Sequence, residues 1–186
     1  MLACSGSKRR DKAPSESYFD DNPNKPTVGD IPPQDMETMI EAHNRKRKKH
    51  CADPLEWSAK LADEAQAWAD KLAKKGCPTD HSKTEYGENL AAGTEMGAER
   101  AVDIWYEEHQ HHKFGAKDGS PSAGHFTQLV WRDSKKLGCG TATCGGKRIW
   151  VCNYDPAGNE KGEFDDEVLP TSCTKERRPR PGSGDW

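Results

Sequence analysis

The cysteines constrain this chain more than any other feature. Seven occur in 186 residues, well above cytosolic habit, and five of them stand in or beside segments that read as structured core. Such thiols are expected to be joined as disulfides in an oxidising compartment, which makes a stapled fold and a secreted or extracellular protein the leading expectation. A zinc–thiolate site is excluded by spacing, because no Cys-x-x-Cys pair occurs. The count is odd, so at least one thiol is left unpaired or reserved for an intermolecular bond. No signal peptide is visible, since MLACSGSKRR lacks the apolar run of one.

Only 32% of the residues are hydrophobic, enough for one compact core with polar extensions that bury little. Residues 1–33 are polar, Pro-containing and aperiodic and read as a disordered N-terminal extension. Residues 171–186 form a basic, Pro/Gly-rich tail in which the run from Lys175 to Arg180 reads as a solvated segment. The structured domain is then 34–170. A net charge of −3, from 28 basic and 31 acidic residues, removes the electrostatic case for a nucleic-acid partner. No apolar run approaches the ~18 to 20 residues that a transmembrane segment needs.

Within the domain, Met36, Met39, Ile40 and His43 recur at helical spacing over residues 35–50, and the basic end RKRKKH suits a helix C-terminus. Ser58 caps a second helix, ending at Gly76, whose stripe of Leu61, Ala62, Ala65, Trp68, Ala69 and Leu72 is rich in alanine, which predicts close packing against a sheet or another helix. A third helix is expected over about 98–112 and a short fourth one after Gly124. Two β-like runs follow, Lys136 to Thr143 and Arg148 to Tyr154, joined through Gly145-Gly146 as a hairpin. Helices first and strands last predict an α+β domain.

Ala101, Ile104, Trp105 and Glu108 share one face of the third helix, which puts a carboxylate on a stripe that should be buried. A buried carboxylate without a partner costs several kcal/mol, so a partner is implied. His125 stands one turn before Leu129 on what should also be an inward face. His81 follows Cys77-Pro78 in a loop that a disulfide could hold, and Glu88 lies in a turn, YGENL, ahead of apolar residues. Two imidazoles and two carboxylates can form a divalent-metal site, with nitrogen as ligand and carboxylates holding the other ring nitrogens. From spacing alone, two satisfied buried His–Glu pairs with a structural role are the favoured reading.

The strings GHFTQLVW at 124–131 and IWVCNYDPAGN at 149–159 resemble the two signature motifs of the CAP superfamily, which groups cysteine-rich secretory proteins, antigen 5 and pathogenesis-related proteins. HNRKR at 43–47 and YGENLA at 86–91 are similar to its two lesser motifs, in the same order. The resemblance implies a three-layer α-β-α sandwich with a central antiparallel sheet and a cleft lined by His81, Glu88, Glu108 and His125. It implies zinc or magnesium at His81 and His125, with the glutamates orienting the imidazoles or holding a metal-bound water. It implies the disulfides Cys77–Cys144 and Cys139–Cys152, each contributing ~2 to 4 kcal/mol. Cys51 and Cys173, flanking the core, are paired with no motif to support the assignment, which leaves Cys4 unpaired or reserved for an intermolecular bond. His43, Asn44 and Asn89 fall in the motifs as structural residues. His109, His111 and His112 read as a polar helix end.

Three functions follow from the resemblance. The first is a secreted binding module of defence or host interaction, taking a metal, a sterol or fatty acid, or meeting a protein or membrane-surface partner. The loop that carries aromatics in sterol binders holds one here, Phe114. The second is a metal-dependent hydrolase with Glu88 or Glu108 as general base. The third, a channel-blocking toxin, needs a cysteine-dense C-terminal domain, and only Cys173 lies beyond the core.

Overall fold

The computed structural model describes residues 31–174. The extension expected over residues 1–33 lies outside them except for its last residues, as do Cys4 and the tail beyond 174.

Helix α1 (Pro33–Lys49) starts at a proline, whose fixed φ suits a first helical position, and turns Met39, Ala42, His43 and Arg47 inward. Arg47 is fully buried, yet four of its five N–H donors are used: Nε on the Asp53 carbonyl at 2.8 Å, Nη1 on those of Leu129 and Trp131, and Nη2 on that of Ser134. One residue of the basic run therefore stitches α1 to the chain beyond the fourth helix. Helix α2 (Ala59–Ala73) is capped by the Ser58 hydroxyl, which accepts the Leu61 N–H.

The sheet is built from β1 (Glu56–Trp57), β2 (Gly87–Thr94), β3 (Lys136–Cys144) and β4 (Lys147–Asp155), in the order β1-β3-β4-β2. Both residues of the β3–β4 turn, Gly145 and Gly146, have positive φ, as a two-residue hairpin of the right twist requires. β2 and β3 run antiparallel to β4, and the short β1 adds a parallel edge on β3. β2 replaces the turn expected at Tyr86 to Asn89. Its small residues carry no alternating pattern, and backbone pairing with β4 from Gly87↔Tyr154 to Thr94↔Lys147 holds it.

α2 covers one face at very short range. A Cβ on Gly140 would stand 2.3 Å from Gln66 Cα, and one on Gly138 2.2 Å from Ala62 N. Glycine on the strand thus answers the buried Ala65 and Ala69 on the helix. On the other face lie α1, α3 (Ala98–Glu107) and α4 (Gly124–Val130), around Trp105, Phe126, Trp131, Trp150 and Tyr154. Strand alternation sends Trp150, Cys152 and Tyr154 into this core and Ile149 and Val151 into the one beneath α2. The result is a three-layer α-β-α sandwich. A short α5 (Phe164–Glu167) follows, its Phe164 packed edge-on against Trp131.

Three disulfides staple these layers. Cys139–Cys152 joins opposed residues of the hairpin, Cys77–Cys144 ties the segment after α2 to the hairpin's turn, and Cys51–Cys173 ties the end of α1 to the C-terminal segment.

Candidate functional site

The segment carrying His81 leaves α2 through Cys77 and is held by its disulfide and by Trp68, whose indole N–H donates to the Asp80 carbonyl at 2.9 Å. His81 itself is 58% exposed, while the side chain of its partner Glu88, on β2, is 6% exposed. Glu88 Oε1 accepts from His81 Nδ1 at 2.8 Å and from the Ser82 N–H at 2.9 Å, and Oε2 accepts the Ser82 hydroxyl. Burial alone would push the Glu88 carboxyl up, but these donors together hold it below the ordinary carboxylate range. The same hydrogen bond raises the His81 pKa against the opposing effect of burial.

The second pair is built at a junction of elements. α3 ends at Glu107, and Glu108 opens a 3₁₀ turn, Glu108–His111, instead of continuing the helix to residue 112. That break turns its carboxylate toward α4: Oε1 accepts from His125 Nδ1 at 2.7 Å, and Oε2 from the N–H groups of His125 and Phe126. Glu108 thus satisfies free donors at the start of α4 while it orients the imidazole. Burial again opposes ionisation, and the bonds from His125 and the helix N–H groups outweigh it, so this carboxyl is also lowered. Both members are less buried than helical phase predicted, at 35% exposed for His125 and 24% for Glu108, because Phe126 takes the core position.

One logic governs both pairs. An ionised carboxylate only accepts, so Nδ1 of each imidazole carries a proton, and in the neutral ring Nε2 is left as a bare lone pair. Neither Nε2 has a hydrogen-bond partner among the described residues. The start of β2 serves both pairs. Glu88 reaches the loop, and the next residue, Asn89, donates to the His125 carbonyl at 3.0 Å and to the Tyr154 hydroxyl at 3.1 Å. The four residues thus form two His–Glu pairs, one built on Glu88 and the other touched by its neighbour Asn89 through the His125 carbonyl. Among the described residues no three His, Cys, Asp or Glu side chains form a group that could hold a metal ion by themselves. A metal here would have two imidazole ligands, with the carboxylates outside its coordination sphere.

The other motif residues are packed. His43 is fully buried, with Nδ1 on the Met39 carbonyl at 2.7 Å and Nε2 on the Tyr154 hydroxyl at 2.8 Å. Asn44 exchanges two bonds with the backbone of Leu55. His109 and His111 are exposed, as a polar helix end would have them, but His112 is not. It is buried between Phe114 and Phe126, and neither ring nitrogen has a hydrogen-bond partner. Two contributors escaped sequence reasoning. Ser82 lies in a loop without period, where only adjacency to His81 hinted at it. Tyr154 joins His43 to Asn89; it stands in the IWVCNYDPAGN motif, but the motif alone assigns it no role.

The profile of the CAP family, described as the cysteine-rich secretory protein family, matches residues 40–154. The chain is 43% identical over 138 residues to Protein PRY2 of Saccharomyces cerevisiae, covering 72% of this chain and 40% of that protein. It is 40% identical over 133 residues to Pathogenesis-related protein 1A of Nicotiana tabacum, covering 69% and 79%. With Secreted protein RBT4 of Candida albicans it shares 41% identity over 134 residues, covering 69% and 37%. It therefore spans less than half the length of the two fungal relatives. Among solved structures, NaASP2 with Zn2+ superposes with a TM-score of 0.66 at 23% identity, covering 78% of this chain and 89% of the other. MpPR-1i does so with 0.55 at 26% identity, covering 70% and 94%. The likeness to NaASP2 is one of fold.

Proposed function

Because the chain belongs to the CAP, or cysteine-rich secretory protein, family, we propose that it is an extracellular binding protein of defence or host interaction whose His81 and His125 take a divalent metal ion through Nε2. The observation that carries this reading is the repeated arrangement in which a carboxylate occupies Nδ1 and leaves Nε2 open. It is the outer-shell pattern that fixes tautomer and orientation in metal-binding histidines. Imidazole suits zinc better than magnesium, which prefers oxygen ligands, so zinc is the metal the donors favour. A bound zinc ion would supply Lewis acidity toward a ligand's donor atom. The chain's own residues fix the rings and keep their lone pairs available.

A hydrolytic reading is less well supported. The oxygens of Glu88 and Glu108 already accept from imidazole, hydroxyl or backbone donors, and both carboxyls are held ionised, which suits orientation and makes them poor proton acceptors. Of the two lipid classes, a fatty acid fits better than a sterol. The one aromatic of the 113–124 loop, Phe114, packs against His112 at 4.9 Å and Phe126 at 6.1 Å.

Zinc titration of chelator-treated protein against a chromophoric competitor tests the metal reading. One site per chain is expected, lost in His81→Gln and in His125→Gln. Unchanged stoichiometry in the double variant would refute it. Labelled palmitate and cholesterol, offered to the same preparation, test the lipid preference, with saturable uptake expected for palmitate alone.

A further inference from the structure

We propose that Asn89 and Tyr154 are positioning residues of the metal site, which hold the His125 pair at a fixed separation from the His81 pair. The proposal rests on the zinc reading above, in which His81 and His125 are the protein ligands. Each glutamate fixes one ring. Neither fixes how far apart the two rings stand, and a chelate of two nitrogens from separate segments depends on that separation.

The His81 pair is built on β2 through Glu88, and the His125 pair on α4 through Glu108. β2 and α4 meet at Gly87 and at Asn89. Gly87 faces Gln128 so closely that a Cβ on it would overlap Oε1. That amide is pinned where it stands, because Oε1 accepts the Gly158 N–H at 2.9 Å and Nε2 donates to the Ser134 hydroxyl at 3.1 Å. Two residues further along β2, Asn89 donates to the His125 carbonyl at 3.0 Å. A carbonyl has two lone pairs, so this bond ties α4 to the strand and leaves the helical ladder intact.

Asn89 can make that bond in one orientation of its amide, and Tyr154 secures it. The amide nitrogen donates to the His125 carbonyl and to the Tyr154 oxygen. Having accepted from Asn89, the Tyr154 hydroxyl gives its own proton to His43 Nε2 at 2.8 Å. His43 can take it because its Nδ1 faces the Met39 carbonyl at 2.7 Å, which only accepts, so the ring's proton sits on Nδ1. Burial keeps this imidazole neutral down to about pH 4, and Nε2 remains an acceptor. Every bond in the series therefore has one direction, from Asn89 through Tyr154 and His43 to the backbone of α1. A reversed amide would aim its oxygen at the His125 carbonyl. His43, Asn89 and Tyr154 are each at most 1% exposed, so solvent does not replace a partner lost here.

The test measures the zinc affinity of the full chain by competition and, in the zinc-free chain, the His125 imidazole nitrogens by NMR. Asn89→Ala should weaken zinc about tenfold, and Tyr154→Phe several-fold, since the phenyl ring keeps the packing and removes the hydroxyl alone. Both should shift the His125 nitrogens before any zinc is added. Ile149→Ala, in the core beneath α2 on the other face of the sheet, is the control for lost stability. Its zinc affinity and His125 signals should match those of the parent chain. Should Tyr154→Phe fail to fold, as its melting curve would show, Asn89→Ala decides the matter. Unshifted His125 nitrogens in the variants would overturn the proposal, as would an equal loss of zinc affinity in Ile149→Ala. A parent chain that takes no zinc would sink the metal reading instead, and the zinc-free His125 signals would then decide whether Asn89 and Tyr154 position that ring.

Discussion

The two histidines at the inner side and end of α1, and the two paired with Glu88 and Glu108, meet opposite treatment from one fold. His43 and His50 face backbone carbonyls and tyrosine hydroxyls, so both nitrogens are used by neutral partners. Burial lowers the His43 pKa to about 4, against the Met39 bond and with help from the charge of Arg47, and it lowers His50 and His112 as well. His81 and His125 face carboxylates instead and keep one nitrogen open. An imidazole between a carbonyl and a hydroxyl is a neutral packing piece, whereas one held by a carboxylate on a single nitrogen is a donor with a free hand. Residue type is the same in both regions; the partner decides.

The largest expected effect comes from removing a packed ring. His43→Ala should lose about 3 kcal/mol of stability in urea, from two hydrogen bonds and a cavity between Trp105 and Tyr154. His81→Ala should stay within about 0.5 kcal/mol, since Ser82 still serves Glu88. Equal losses at both positions would erase the contrast.

Acid should separate the regions next. In the unfolded chain the buried histidines protonate near the ordinary value of 6.5, in the folded chain only below it, at about 4 for His43. The unfolded state then binds more protons, so stability is whole above pH 6.5 and falls as pH drops toward 4, where His43 begins to titrate in the folded chain. The loss assignable to His43 is on the order of 3 kcal/mol. His81 acts with the opposite sign, because its raised pKa gives a contribution that is present below 6.5 and fades as pH rises through the folded value. Urea midpoints between pH 7 and 4 check this, and a flat profile would contradict it.

Smaller effects sharpen the contrast. Glu88→Gln or Glu108→Gln should weaken zinc binding about 10- to 100-fold while leaving the fold intact, through loss of the ring's orientation. His112→Phe should raise stability by about 1 kcal/mol, because it removes two buried nitrogens that make no hydrogen bond. It should also reduce the acid sensitivity, as a thermal melt at pH 5 would show.

What the sequence made legible follows from where a local signal existed. Alanine spacing in α2 pointed to a flat partner, and glycines 138 and 140 of β3 show how close that partner lies. Paired glycines announced the hairpin. β2 was invisible because GENLAAGT has no alternation and Thr94 as its one β-branched residue, and its strand state comes from β4 alone. The need of Glu108 for a partner could be argued from helical phase, but the end of α3 at Glu107, with no proline or glycine to mark it, could not. Nor could the burial of His112, which follows from that same break and from the inward turn of Phe114. His81 was reached by family motif more than by physics, since its loop offers no period to read.

The most direct measurement is histidine imidazole nitrogen NMR of the full chain, with and without one equivalent of zinc. The account predicts that His81 and His125 carry the proton on Nδ1 before zinc and shift at Nε2 after it, while His43, His50 and His112 stay unmoved. Zinc shifts confined to His109 and His111, or an Nε2–H form at either paired ring, would contradict it.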